Sequence, residues 1–179
     1  MAITLGLDTK LSGDAERVSG ADLNWEDIED GKYNAELKIV YPWKKVTHDS
    51  KVRLRDEDGK YIKDDDGKFV QEIQKELSWF ITDMVFVISG GIYDGHAVKG
   101  TISTHPDMIG SAKRFLYNAK WYDVTLEDLY NHVGTKVAVN IKHKTDTFKD
   151  KTTGAQRTVT NAYVSWYDKY DESLEDTGI

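Results

Sequence analysis

The chemistry this sequence offers lies in cations interleaved with aromatic rings. One group is Tyr41, Trp43, Lys44, Lys45, Lys51, Arg53 and Arg55. A second spans 136–157, where Lys136, Lys142, Lys144, Lys149, Lys151 and Arg157 face only Asp146 and Asp150, with Phe148 among them. Cations along a groove neutralise phosphates, and aromatic faces stack bases without demanding a sequence. The same residues also describe a solvated lysine-rich hairpin over core aromatics, and composition alone does not separate these two readings.

Other chemistries have little support. The five histidines (48, 96, 105, 132 and 143) show no metal-ligand spacing and read as surface or turn residues. No H-E-x-x-H, G-x-S-x-G, P-loop or dinucleotide-binding glycine pattern is present. The run Gly90–Gly95 (GGIYDG) joins two extended segments, whereas a phosphate cradle opens a helix. The DGKY and DGKF runs, eight residues apart, fail as calcium loops because Leu54 and Ile62 stand where a carboxylate is required. No catalytic residue, metal or cofactor is therefore expected. Zero cysteines exclude disulfides and zinc-thiolate sites and fit a reducing cytoplasm. The first twenty residues lack a basic and apolar leader, and no run approaches a membrane span, so a cytoplasmic, membrane-independent protein is expected.

The net charge of −7 argues at first against nucleic acid, but its distribution matters more. Asp168–Ile179 carries five carboxylates against Lys169 alone, and Asp56–Asp58 with Asp64–Asp66 adds six more. Without these two clusters the body is net positive.

The elements that would position the basic and aromatic groups follow from periodicity. Residues 1–22 read as a flexible arm, and Asn24–Glu29 as one helical turn through Trp25 and Ile28. Lys32–Tyr41 alternates, with Tyr33, Ala35, Leu37, Ile39 and Tyr41 on the buried face. Val52–Gln71 holds the two Asp-Gly turns and predicts a protruding β-ribbon with type I′ turns. Leu77–Ile88 is apolar on both faces, with Phe80, Met84, Phe86 and Ile88 on one and Trp79, Ile81, Val85 and Val87 on the other. The next strand ends at Thr104 and buries Val98, Gly100 and Ile102; Gly100 suggests a bend or a close backbone approach. Pro106–Tyr122 predicts a helix whose apolar stripe is Met108, Ala112, Phe115, Leu116, Ala119 and Tyr122. A short helix over Thr125–Val133 follows. Thr135–Lys144 and Arg157–Tyr167 close the series, the latter with Ala162, Val164 and Trp166 on one face and Tyr163 and Tyr167 on the other.

A helix between the third and fourth of five strands is the order of the OB-fold. The expected architecture is mainly β: a five-stranded OB-type Greek-key barrel over 23–167, a helix between strands 3 and 4, and a ribbon (52–71) inserted between strands 1 and 2. An acidic tail, 168–179, follows.

The runs GKYNAELKIV (Gly31–Val40), VISGGIYDGHAVKGTIST (Val87–Thr104), GTKVAVNIKHKTDTF (Gly134–Phe148) and NAYVSW (Asn161–Trp166), with the helix among them, resemble phage-encoded single-stranded DNA-binding proteins of replication and recombination cassettes. The resemblance covers roughly 26–179. It implies an OB fold, non-catalytic binding of single-stranded DNA in a host cytoplasm, and an acidic tail that meets replication or recombination proteins. The ribbon departs from the pattern as an insertion. So does the terminus, where Ile179 stands in place of the usual phenylalanine.

On the residues and this resemblance together, the expected DNA-binding set is Trp43, Lys44, Lys45, Arg53, Tyr93, Lys99, Lys136, Lys142, Lys144, Phe148, Lys149, Lys151, Arg157 and Tyr163. The partner-binding tail would be Asp171, Glu172, Glu175, Asp176 and Ile179. The edge Lys32–Tyr41 or the ribbon offers a homodimer contact. Two other classes stay open: a phage structural or assembly β-barrel that uses the ribbon, and a metal-dependent nuclease.

Overall fold

The computed structural model describes residue 20, residues 22–119, residue 129 and residues 131–174. Six strands and one helix follow in chain order: β1 (Gly31–Val40), β2 (Lys44–Arg53), β3 (Gln71–Ile88), β4 (Ala97–Ser103), α1 (Ile109–Asn118), β5 (Lys136–Lys149) and β6 (Gln156–Asp168). β1 pairs antiparallel with both β3 and β5, β5 with β6, and β3 with β4. A parallel contact at Lys99 and Tyr163 joins β4 to β6 and closes the ring. The five barrel strands are β1, β3, β4, β5 and β6, with α1 between the third and fourth. This is the OB-type barrel expected from the order of elements.

The barrel interior is filled as the β-branched and aromatic alternation predicts. Met84, Phe86 and Ile88 of β3 face it, with Phe80 packed at its rim. Val98 and Ile102 of β4, and Val137, Val139 and Ile141 of β5, complete the walls. α1 plugs one end with Ala112, Phe115 and Leu116. The Phe115 ring lies 6.0 Å from Phe86 and 4.9 Å from Tyr167, both at steep angles. Met108, expected on this stripe, precedes the helix and is 46% exposed. Leu129 is fully buried; the rest of 120–130 lies outside the described residues, including Tyr122 and most of the expected second helix.

The outer face of β3 has a cover. Val85 packs with Ile39 and Ala97 in a second apolar cluster, closed by Leu23, Tyr41 and Val87. Leu23 comes from the segment ahead of β1. That segment forms no helical turn: 25–29 is irregular, Ile28 enters the main core, and Trp25 stays 47% exposed. Of the expected arm 1–22, Gly20 and Asp22 are among the described residues and the rest lies outside them.

Two bulges change the expected faces. Pairing of β1 with β3 shifts register between Leu37 and Ile39, so Val40 joins the core while Ile39 and Tyr41 join the outer cluster. Pairing of β5 with β6 shifts between Asn140 and Ile141, which leaves Ser165 of β6 as the extra residue. Beyond it Tyr167 points inward at 1% exposure and Trp166 points outward at 39%. Strict alternation had reversed these two, because an inserted residue exchanges faces for everything after it.

The insertion is larger than the expected ribbon. β2 pairs along Gln71–Ile81 of β3 and forms a two-stranded extension of the barrel wall. Its mostly exposed residues bury no face and so carry no legible period. The ribbon beyond it is two copies of one eight-residue turn. Asp56 Oδ1 accepts the N–H groups of Asp58 and Lys60; Asp64 Oδ1 accepts those of Asp66 and Lys68. Only Gly59 and Gly67 have positive φ, at 78° and 77°, so these are type I turns followed by a left-handed glycine, not type I′ turns. At the base, the Leu54 N–H donates to the Val70 carbonyl, Ile62 to Leu54, and Val70 to Ile62.

The chain after β6 crosses the outer face of β1. The Asn34 side chain, 1% exposed, donates to the Asp171 carbonyl at 2.7 Å and accepts the Asp171 N–H at 3.0 Å. Lys32 adds an ion pair to Asp171 at 3.1 Å, and a 3-10 turn covers Glu172–Leu174.

Candidate nucleic-acid interface

The β5–β6 hairpin runs beyond the barrel, and its register sorts its side chains into two faces. Lys142 pairs with Tyr163, Lys144 with Asn161, Asp146 with Val159, and Phe148 with Arg157. These share the outer face, because Ile141 and Val164 before them point inward. Lys99 of β4 stands opposite Tyr163 on the same outer surface. One stripe therefore holds Lys99, Tyr163, Lys142, Lys144, Phe148 and Arg157, interleaving cations with rings. The reverse face is stiffened by paired hydroxyls, Thr145 to Thr160 at 2.8 Å and Thr147 to Thr158 at 3.3 Å.

The stripe opens into a groove of about 1200 Å³ across β4 and β6. Trp25, the ribbon's Arg55 and Tyr61, and Tyr163 and Trp166 of β6 all line it. Phe148 and Tyr163 are 49% and 36% exposed, so their ring faces are available for stacking. Arg55 lies over the Tyr61 ring at 3.9 Å and bonds the Tyr61 hydroxyl and the Gly59 carbonyl. Arg114 covers Trp166 at 5.0 Å.

Several cations are already paired. Lys99 meets Asp83 at 2.8 Å, Lys144 meets Asp146 at 2.9 Å, and Arg157 meets Asp150 at 3.1 Å. The hydrogen bond to Asp146 holds the Lys144 ammonium above its ordinary pKa. Asp150 also accepts the Thr153 and Thr152 N–H groups, which hold its carboxyl below the ordinary range and close the hairpin tip. Among the described residues Lys142, Lys149 and Lys151 form no ion pair. A phosphate arriving here would compete with carboxylates at three positions and meet free ammonium groups at the others.

Not every expected residue belongs to this surface. Trp43 is 7% exposed and part of the main core, so it cannot stack a base; a tryptophan between a proline and two lysines reads the same in sequence whether it faces in or out. Tyr93 is half-buried in the Gly90–Gly95 corner, edge-on to Tyr33 at 5.6 Å and His96 at 5.5 Å, and offers no open face. Lys136 lies at the opposite end of β5, over Tyr170 at 5.4 Å, and belongs to the surface where the tail crosses. Arg53 packs at the ribbon base over Phe69 at 4.9 Å, with its backbone N–H on Asp107. Lys149 falls on the reverse face of the hairpin beside Gln156, and Lys151 sits in its tip. Lys44 and Lys45 are exposed on β2, apart from the stripe. Of the expected tail contacts, Asp171 is engaged with Asn34 and Lys32, Glu172 lies in the 3-10 turn, and Glu175, Asp176 and Ile179 are outside the described residues.

The groove aromatics Trp25, Tyr61 and Trp166 were absent from the expected set. Each had a competing local reading: a helical turn for Trp25, a solvated turn for Tyr61 and a core face for Trp166.

The histidines serve structure. His143 lies between Asp27 and Asp30, with Nε2 2.8 Å from Asp27 and Nδ1 2.6 Å from Asp30. The two carboxylates sit on different ring nitrogens and do not converge on one point. Hydrogen bonds to Asp27 and then Asp30 raise the imidazole pKa, and the bond to His143 lowers that of Asp27. His105 is buried at 8% exposure, edge-on to Trp79 at 4.8 Å. Among the described residues no three His, Asp or Glu side chains form a group that could hold a metal ion.

Fold and surface together define an OB-type barrel with one groove lined by aromatic rings and flanked by a basic, aromatic hairpin face. No protein-family model matches the chain, and no curated protein matches it. Among solved structures, a chain described as yeast RPA bound to ssDNA is similar at a TM-score of 0.40 and 11% identity, over 90% of this chain and 87% of that one. A likeness of that degree carries no functional weight.

Proposed function

We propose that this protein binds single-stranded DNA, largely without sequence preference and without catalysis. The observation that carries the reading is the single outer stripe of Lys99, Tyr163, Lys142, Lys144, Phe148 and Arg157 running into the groove. Rings and cations alternate there at strand spacing, which suits successive bases and phosphates of one strand. A groove walled by four aromatic side chains fits unstacked bases better than a duplex, whose bases are already stacked.

The resemblance of Gly31–Val40, Val87–Thr104, Gly134–Phe148 and Asn161–Trp166 to phage single-strand-binding proteins supports a role in phage replication or recombination, in the host cytoplasm. The acidic residues after Leu174 would then meet partner proteins of that machinery, and the open edge of β2 would serve a homodimer.

The test is binding of a labelled oligonucleotide across a salt titration. Affinity falls steeply as salt rises, because phosphate contacts release counterions. No binding at low salt would sink the reading and turn attention to β2 as an assembly edge. Incubation of a labelled strand with magnesium tests the non-catalytic part: product formation contradicts it.

A further inference from the structure

We propose that the bound strand does not end in the main groove but passes over Trp25 into a second groove, which Lys44 at the start of β2 borders. This rests on the function proposed above. The second groove, about 550 Å³, lies between β3 and the Tyr41–Lys44 segment. It shares two walls with the first, Trp25 and Lys99. The two hollows are therefore one path with a saddle at those residues.

The saddle is fixed in place. The Trp25 indole N–H donates to the Gly20 carbonyl at 2.9 Å. On its N-terminal side Asn24 bridges to His96, and on its C-terminal side Asp27 is held by His143. Lys99 is anchored by Asp83, which also accepts the Thr101 hydroxyl at 2.8 Å. A half-exposed indole so braced presents a ring without ordering cost on binding, which favours stacking.

Beyond the saddle the chemistry suits the same ligand. Pro42, Ile81 and Tyr41 give a partly exposed apolar wall for a base, and Lys44 stands at the edge for a phosphate. Lys44 is exposed and paired in the ladder with Ile81, so its ammonium reaches solvent beside that wall. Lys44 is the residue of β2 that lines this groove, which gives the start of the inserted strand a task in binding.

The experiment compares oligo-dT of about 4 and about 16 nucleotides, the two ends of the range one OB domain covers. Wild-type protein and Lys44→Gln are titrated with each at several salt concentrations. The expected result is tighter binding of the longer strand by the wild type. Lys44→Gln should leave the short strand unchanged, weaken the long one about fivefold at 0.1 M salt, and lower its salt slope by about 0.7, the share of one phosphate contact to a single strand. No gain with length in the wild type, an equal loss at both lengths, or no loss at either overturns the second groove while the function stands. Failure to bind any oligonucleotide overturns both.

Discussion

Gly100 faces the hydroxyl of Tyr167 across the barrel interior. A Cβ placed on Gly100 would lie 2.5 Å from that oxygen and 2.9 Å from the Phe86 ring. The Tyr167 phenol is fully buried there, and burial pushes its pKa up, so it stays neutral. Gly100→Ala should destabilise the protein by about 1–3 kcal/mol, the usual cost of overpacking a filled core. Thermal unfolding measures it, and adding Tyr167→Phe should recover part of the loss by removing the oxygen. An unchanged melting temperature would contradict the close approach.

The hairpin stripe makes a distinct claim for its rings. Tyr163→Ala and Phe148→Ala should each weaken single-stranded DNA binding by about 1–3 kcal/mol with little change in salt dependence, since stacking releases no counterions. Lys142→Gln should do the reverse and lower the salt slope by about 0.7. Trp43→Phe, a core change, should leave affinity alone and act on melting only. Anisotropy titrations at several salt concentrations distinguish these outcomes.

The attachment of the segment before β1 should depend on pH. His143 has a raised pKa in the folded protein, so its contribution is present below the ordinary value of 6.5 and is lost as pH climbs through the higher folded value. Asp27, with a lowered pKa, contributes above its ordinary 3.8 and loses that contribution only as pH falls further. Hydrogen exchange at residues 24–30 should therefore speed up as pH rises above 6.5, after correction for the intrinsic rate. His143→Gln should abolish that extra increase; a parallel rise in both proteins would remove the latch from the account.

Glu76 holds φ at 48°, the one non-glycine residue with positive φ among those described, and its N–H is held by Asp49 at 2.9 Å. It sits at the register shift between β2 and β3. Glu76→Gly should relieve the left-handed strain and raise stability by roughly 1 kcal/mol. A lower melting temperature would mean that the bulge is not where strain resides.

The tail needs a cut that respects Asp171. Truncation after Tyr167 would remove the clasp on Asn34 and confound stability with binding. Truncation after Leu174 removes 175–179, whose only acidic side chains are Glu175 and Asp176. It should tighten DNA binding at low salt if those carboxylates compete for the cations, and unchanged affinity excludes competition.

Much of the barrel was readable from period alone. Ala35, Leu37, Met84, Phe86, Val98, Ile102, Val137 and Val139 fall on the faces their alternation assigned, because a half-buried strand imprints its two faces on the sequence. Reading failed where the period breaks or has nothing to imprint. One extra residue at Ser165 exchanged Trp166 and Tyr167, and the shift after Leu37 exchanged Ile39 and Val40. β2 had no buried face to betray it. The site followed the same logic. Hairpin residues Lys142, Lys144, Phe148, Arg157 and Tyr163 share one face because local pairing brings them together, and such pairing is visible in the sequence. Trp25 and Tyr61 reach the groove only through long-range folding, which spacing in the chain does not report.

The three backbone bonds at the ribbon base have a further consequence. Leu54, Ile62 and Val70 stand eight residues apart, and each gives its N–H to one of the other two and accepts the N–H of the third. The chain enters at Leu54 and leaves beside it at Val70, which makes the ribbon a self-terminated pendant. Taking out both eight-residue copies would let the two ends meet across a gap that the bond from the Leu54 N–H to the Val70 carbonyl already spans.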